Sequence, residues 1–255
     1  MLVVLPPSET KRDGGADEKL DFDTLAYSEL NSRRRLLVRA LRSLAHDSEA
    51  TITALKLGPK QHSEIGRNLT VTSSATMPVL DRYTGVLYDA LDAVTLTPNQ
   101  RDFAASHVAV HSALFGLVKA LDPIPAYRLS HDSRIPDMPL KKHWGTANAE
   151  ALASETGLIL DFRSEAYVAL GPAPKRDGSY FLRVVTDSGG RRRALNHFNK
   201  KSKGEFARAI IENSRDFRTA SELISWATAA GYRLDHGAAG ELELVVDEVV
   251  ASKRG

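Results

Sequence analysis

Two short apolar runs constrain the fold more than any other feature of the chain. Leu2-Val3-Val4-Leu5 is stopped at once by Pro6-Pro7, and Gly157 to Phe162 empties into "RSEAY". Apolar runs this short, closed by turn residues or polar chain, read as buried strands that end in loops. What lies between them is helical in pattern. From about Tyr27 to Leu44, the residues Leu30, Leu36, Leu37, Leu41 and Leu44 suggest a helix. Arg33, Arg34, Arg35, Arg39 and Arg42 cover its other sides and read as a solvated face. Tyr83, Val86, Leu87 and Leu91 repeat the helical spacing with Gly85 inside.

The segment around His107 to Leu129 starts strand-like and becomes helical, until Asp122-Pro123 and Ile124-Pro125 force extended chain. "YFLRVVTDSGGRRRALNHF" has two extended arms about Ser188-Gly189-Gly190 and reads as a β-hairpin. "GELELVVDEVV" predicts a last strand. A hairpin, isolated strands and helices together favour an α+β fold over a regular βαβ array. The 255 residues can bury a sizeable core, as one large domain or as two small ones.

The chain has no cysteine, which removes disulfides, thiolate metal sites, iron–sulfur clusters and a cysteine nucleophile, and fits a reducing compartment. The opening "MLVVLPPSETKRD" lacks the basic segment and the apolar length of a signal peptide. No stretch approaches the roughly 18 apolar residues of a membrane span. The expectation is a cytoplasmic protein with no membrane partner.

Formal net charge is only +2, yet cations gather around "ALNHFNKKSKGEFARAIIEN". Arg191, Arg192, Arg193, Lys200, Lys201, Lys203 and Arg208 lie in or just before this stretch, against Glu205 and Glu212 as its only acids. Ser202-Lys203-Gly204-Glu205 has the form of a capping box, which predicts a helix from Gly204 to about Phe217 with Ser202 as its N-cap. A helix N-terminus already carries free N–H groups and about half a positive charge, so cations there oppose the helix unless an anion binds. The pattern points to a phosphate site with exposed lysines, or else to a solvated turn.

Other constellations are thinner. "Apolar, Gly-Pro-Lys, helix" at Leu57-Gly58-Pro59-Lys60 has the shape of a helix-hairpin-helix turn, whose backbone N–H groups can face a phosphate. His107 and His111 have helical spacing but no evident third ligand, and read as a structural pair, so no metal site is expected. Asp161, Glu165 and Tyr167 follow a buried strand. They suit acid–base work, or ion pairs with Arg163 and Arg128. There is no Walker loop, dinucleotide fingerprint or nucleophile elbow.

Taken together, "LVVLPPSETK", "RYTGVLYDAL", "HSALFGLVKALDPIPAYRL", "DFRSEAY", "NHFNKKSKGEFARAIIEN" and "GYRLDHGAAGELELV" resemble the YaaA family of peroxide-stress proteins, in the family's order and over nearly the whole chain. Where many members carry a Ser-Pro-Ala-Lys-Thr-like motif, this chain has Pro6-Pro7-Ser8-Glu9-Thr10-Lys11, with the lysine displaced. The resemblance implies one compact mixed α/β domain over residues 1–255, of unusual topology, built around a basic cleft with a helix-hairpin-helix element. It implies binding of double-stranded or structured DNA with no cofactor, and a role in limiting iron-dependent DNA damage under peroxide. Lys11, Lys60, Arg128, Lys200, Lys201, Lys203 and Arg208 are then the expected phosphate contacts.

Two classes of function stay open. One is a DNA-binding protein with little sequence specificity. The other is an enzyme acting on a nucleobase or nucleotide in the same cleft, with Glu165 as acid or base beside Ser164 and Tyr167. A carboxylate amid cations repels phosphate, so the position of Glu165 separates the two. Direct iron binding ranks last, for want of a three-ligand cluster.

Overall fold

In the computed structural model, residues 1–188, 191–194 and 199–247 are described. The strands are β1 (Leu2–Leu5), β2 (Thr76–Pro78), β3 (Val108–Ser112), β4 (Gly116–Lys119), β5 (Pro123–Pro125), β6 (Ile159–Asp161), β7 (Ser179–Ser188), β8 (Arg191–Ala194), β9 (Arg233–His236) and β10 (Glu241–Val246). Eight of them form one sheet in the order β4-β3-β1-β6-β7-β10-β9, with β8 paired to β7, and β2 pairs with β5 separately. The mixed α/β class is borne out.

Both apolar runs are buried strands, and they are neighbours. β1 runs parallel to β3 on one side and to β6 on the other, with Val4 opposite Ala109 and Asp161. β6, β7 and β10 continue the parallel core, and β4 and β9 close it antiparallel. All four residues of β1 are buried, as a strand in the middle of a covered parallel sheet requires. The helix Pro98–His107 packs on β1 and β3, Leu140–Ala153 on β4, and Asn199–Asn213 on β7.

Several local readings shift. The expected strand-to-helix segment is instead a β3–β4 hairpin. The Ser112 hydroxyl accepts from the N–H groups of Leu114 (3.1 Å) and Phe115 (2.9 Å), and Gly116 takes φ +66°. The first long helix spans Asn31–Ala45, and its arginine face is not wholly solvated. Arg34 is fully buried, and its guanidinium is satisfied by donating to the carbonyls of Phe115, Leu117 and Ala26. Gly85 does not sit within a helix. At φ +94° it separates Val79–Arg82 from Val86–Leu91, and a Cβ there would press on the Ser8 and Thr10 hydroxyls at 3.3 Å.

The β7–β8 hairpin is present, pairing Thr186 with Arg193 and Ser188 with Arg191, while the Gly189-Gly190 turn lies outside the described residues. Of the predicted last strand, Glu241–Val246 is observed and Glu248–Val250 lie outside the described residues. The cationic helix runs Asn199–Asn213, five residues earlier at its start than expected. Ser202 is therefore inside its first turn rather than at its cap, and Glu205 pairs with Lys201 one turn back at 3.4 Å. The helix stops where Ser214 takes φ +52°, ahead of Phe217. No described helix is long and apolar enough to cross a membrane.

Candidate functional site

Because β1 and β6 are parallel neighbours, the loops that leave their carboxyl ends meet on one side of the sheet. Crevices at such strand ends are where open α/β sheets commonly bind ligands. Here Pro6 to Glu9 leave β1, and Phe162, Ser164 and Tyr167 follow β6. They line a cleft of about 450 Å³ together with Thr84 to Tyr88, Ser130, His131, Asn199, Lys200 and Lys203. The cleft therefore lies between the turn into Val86–Leu91 and the first turn of Asn199–Asn213.

Asp161 and Arg163, on either side of the lining residue Phe162 in the chain, belong to a buried polar network. Arg163, fully buried, grips Asp161 through Nε–Oδ1 (2.8 Å) and Nη2–Oδ2 (2.6 Å). It also donates to the Gly171 carbonyl at 2.8 Å and to His111 Nδ1 at 2.6 Å. Burial and the neighbouring guanidinium hold His111 well below the usual histidine range, so the ring stays neutral. His107 ends a helix while His111 lies in β3, so the two do not share a helix face. Among the described residues, no group of three or more His, Asp or Glu is placed to hold a metal ion.

Of the seven expected phosphate contacts, two line the cleft. Lys200 is exposed at its wall. Lys203 lines it too, but it is only 4% exposed, which corrects the expectation of a solvated lysine. Its Nζ donates to the Phe162 carbonyl at 3.0 Å and reaches that of Arg163 at 3.5 Å. Burial, and secondarily Arg183, bring its pKa down to about 8. Lys201 is exposed beside the cleft, paired with Glu205.

Lys11 and Arg128 are buried beside one another's charge. Lys11 Nζ donates to the carbonyls of Ser8 (3.0 Å) and Glu9 (3.2 Å) and lies 4.2 Å from the Tyr127 ring centre. Burial, with Arg128 nearby, lowers its pKa to about 7. Arg128 pairs with Glu9 at 2.9 Å. Its backbone is held from both sides by the buried Asn68 amide, at 2.8 and 2.9 Å.

Two expected contacts stand apart. Arg208 is tied to Glu212 (2.9 Å) and to the carbonyls of Leu91 (2.8 Å) and Asp92 (2.9 Å), where it closes the C-terminal end of Val86–Leu91. Lys60 is exposed in the Pro59–Gln61 turn between the helices Ser48–Leu55 and Glu64–Leu69, outside the cleft lining. In that turn the Gly58 N–H is already taken by the Gln61 side chain at 3.0 Å.

The expected acid–base set separates. Ser164 and Tyr167 line the cleft, but Glu165 does not. It is 80% exposed and lies 3.6 Å from Arg183, on the outside. The carboxylate that does face the cleft is Glu9, which sequence reasoning passed over. The available signal was an acid in the loop immediately after the first buried strand. Asn199 was missed as a site residue as well. Its Oδ1 is buried at the cleft wall with no hydrogen-bond partner among the described residues.

The family model described as peroxide stress protein YaaA matches residues 1–238. The chain belongs to the YaaA family of peroxide stress proteins. Among its relatives, a UPF0246 protein of Corynebacterium efficiens is 41% identical over 96% of this chain and 100% of its own length. One from Corynebacterium glutamicum is 40% identical over 91% and 93%. One from Streptomyces coelicolor is 33% identical over 98% and 100%. The YaaA match thus takes in every segment that lines the cleft.

The two depressed lysines of this YaaA protein have a measurable consequence. An amine whose folded pKa lies below its unfolded value of about 10.4 binds fewer protons when folded, so stability rises with pH between the two values. For Lys203 that window opens near pH 8, and for Lys11 near pH 7. The melting temperature should climb from about pH 7 to about pH 9.5, and Lys203→Met should flatten the upper part of that climb. An identical climb in the variant would show that the Lys203 amine is not desolvated.

Proposed function

We propose that this protein binds duplex or structured DNA at the mouth of the cleft, with little sequence preference, and in doing so protects DNA during peroxide stress. The observation that carries this reading is the orientation of the helix Asn199–Asn213, whose first turn delivers Lys200 and Lys203 to the cleft wall. A long helix starting there adds its own positive end to the two amines. Lys201 beside them extends the cationic surface, while Lys60 stands apart from it. Membership of a peroxide stress family fits a DNA-protecting role. The enzymatic alternative loses its acid–base candidate, because Glu165 is turned away from the cleft and toward Arg183.

Binding should depend steeply on salt. If about four phosphates are neutralised, log K falls with log salt at a slope near −3.6, from roughly −0.9 per phosphate. Lys200→Ala/Lys201→Ala should reduce that slope by about 2 and leave the fold intact, since both side chains are exposed. An affinity indifferent to salt, or a double variant with the wild-type slope, would move the DNA surface away from this helix.

A further inference from the structure

The cleft has more features than a phosphate surface needs. Neutralising a backbone takes exposed cations and no cavity. Here a recess of about 450 Å³ has an acceptor with no donor among the described residues, Asn199 Oδ1, buried in its wall. A second acceptor, Glu9, faces the same space. Neither acceptor offers a hydrogen to a phosphate oxygen, even with Glu9 paired to Arg128, and both suit the N–H groups on the edge of a nucleobase. Lys203 supplies the complementary end. An ammonium has three N–H donors, and main-chain carbonyls take two of them, so one remains for an anion. The Ser8, Ser130 and Ser164 side chains also line the recess.

The size of the recess narrows the ligand further. A volume of this order suits a small molecule. A double helix cannot enter it, whereas one nucleotide turned out of the stack can. Building on the DNA-binding reading above, we infer that the cleft receives a single unpaired nucleotide of a DNA strand, its phosphate on Lys200 and Lys203 and an N–H edge of its base on Asn199 Oδ1 and Glu9. Unstacking costs least for a nucleotide that already lacks a partner, so mismatched, bulged or gapped positions are the ones captured.

Photo-crosslinking tests this with the full chain and a duplex carrying one iodouracil, either as a single-nucleotide bulge or paired with adenine. The bulged probe should crosslink to peptides containing His131 or Tyr167, with a yield about tenfold above that of the paired probe. Asn199→Leu and Glu9→Gln, checked for native melting, should each remove most of that difference. Crosslinks confined to peptides outside the cleft, or equal yields from the two probes, would overturn the nucleotide pocket and leave DNA binding standing. A protein that shifts neither probe, but whose cleft peptides crosslink to free iodo-deoxyuridine monophosphate, would overturn both readings and assign the recess to a soluble nucleotide.

Discussion

Arg163→Met should lower the melting temperature by roughly 6–20 °C. Removing one partner of a buried ion pair costs about 3–5 kcal/mol, and about 2–4 °C accompanies each kcal/mol in a chain of this size. Arg163 is fully buried and its partner Asp161 is only 3% exposed, so water cannot take over. The methionine would leave Asp161 without its two guanidinium bonds and the Gly171 carbonyl without a donor. The double variant Asp161→Leu/Arg163→Met should be less damaged than the single one, because no lone charge stays buried. A single variant that melts like wild type would show that the carboxylate finds other donors. Arg163 lies between Phe162 and Ser164 in the chain, and His111 meets the Tyr167 ring at 5.8 Å, so the variant should also weaken the nucleic-acid binding proposed for the cleft.

Gly204→Ala is the second large effect, and its sign runs against intuition. Inside an ordinary helix the change stabilises by roughly 0.5–1 kcal/mol. At Gly204 a Cβ would lie 2.2 Å from the Leu87 carbonyl oxygen and 2.9 Å from the Ala90 Cβ. The first contact is with backbone, which cannot swing aside. Overpacking of this kind costs about 1–3 kcal/mol, so the melting temperature should fall by roughly 2–12 °C. The two helices forced apart are those that flank the cleft, and the DNA affinity proposed for it should fall with stability. A more stable Gly204→Ala protein would mean that the helices slide without cost.

The same glycine shows what the sequence could and could not tell. Ser202-Lys203-Gly204-Glu205 satisfies the local grammar of a helix start, but Gly204 is there to let a second helix approach. Local patterns describe the chain's neighbours in sequence, and Leu87 is not one of them. Lys203 was misread for a related reason. Among other lysines it looks solvated, yet it lies four residues before Ala207 and seven before Ile210, both buried, and so falls on the inner face of the helix. Arg34 repeats the case between the buried Leu30, Leu37 and Leu41. Helical periodicity carried that signal in both instances, and residue type overrode it.

The apolar runs were legible as strands because they can be little else. Their adjacency was not, since nothing within Leu2–Leu5 encodes a partner at Val108 or Ile159. The cleft depends on that adjacency, which brings Glu9 and Ser164 to one place. The resemblance to a family supplied a cleft and a set of cations. It did not separate the lysines that reach the cleft from the arginine that closes a distant helix.

The central position of β1 matters during synthesis. Both strands that flank it lie far downstream, the nearer beginning at Val108 and the other ending at Asp161. At about 5–20 residues per second, a ribosome needs roughly 8–30 s to pass from one flanked strand to completion of the second flank. Until β3 emerges this four-residue aliphatic segment has no strand to join, and until β6 follows one of its edges stays open. The nascent chain therefore carries an incompletely paired strand through most of its own translation. Strand order, and not only the stability of the finished protein, therefore bears on how long an emerging chain needs protection from aggregation.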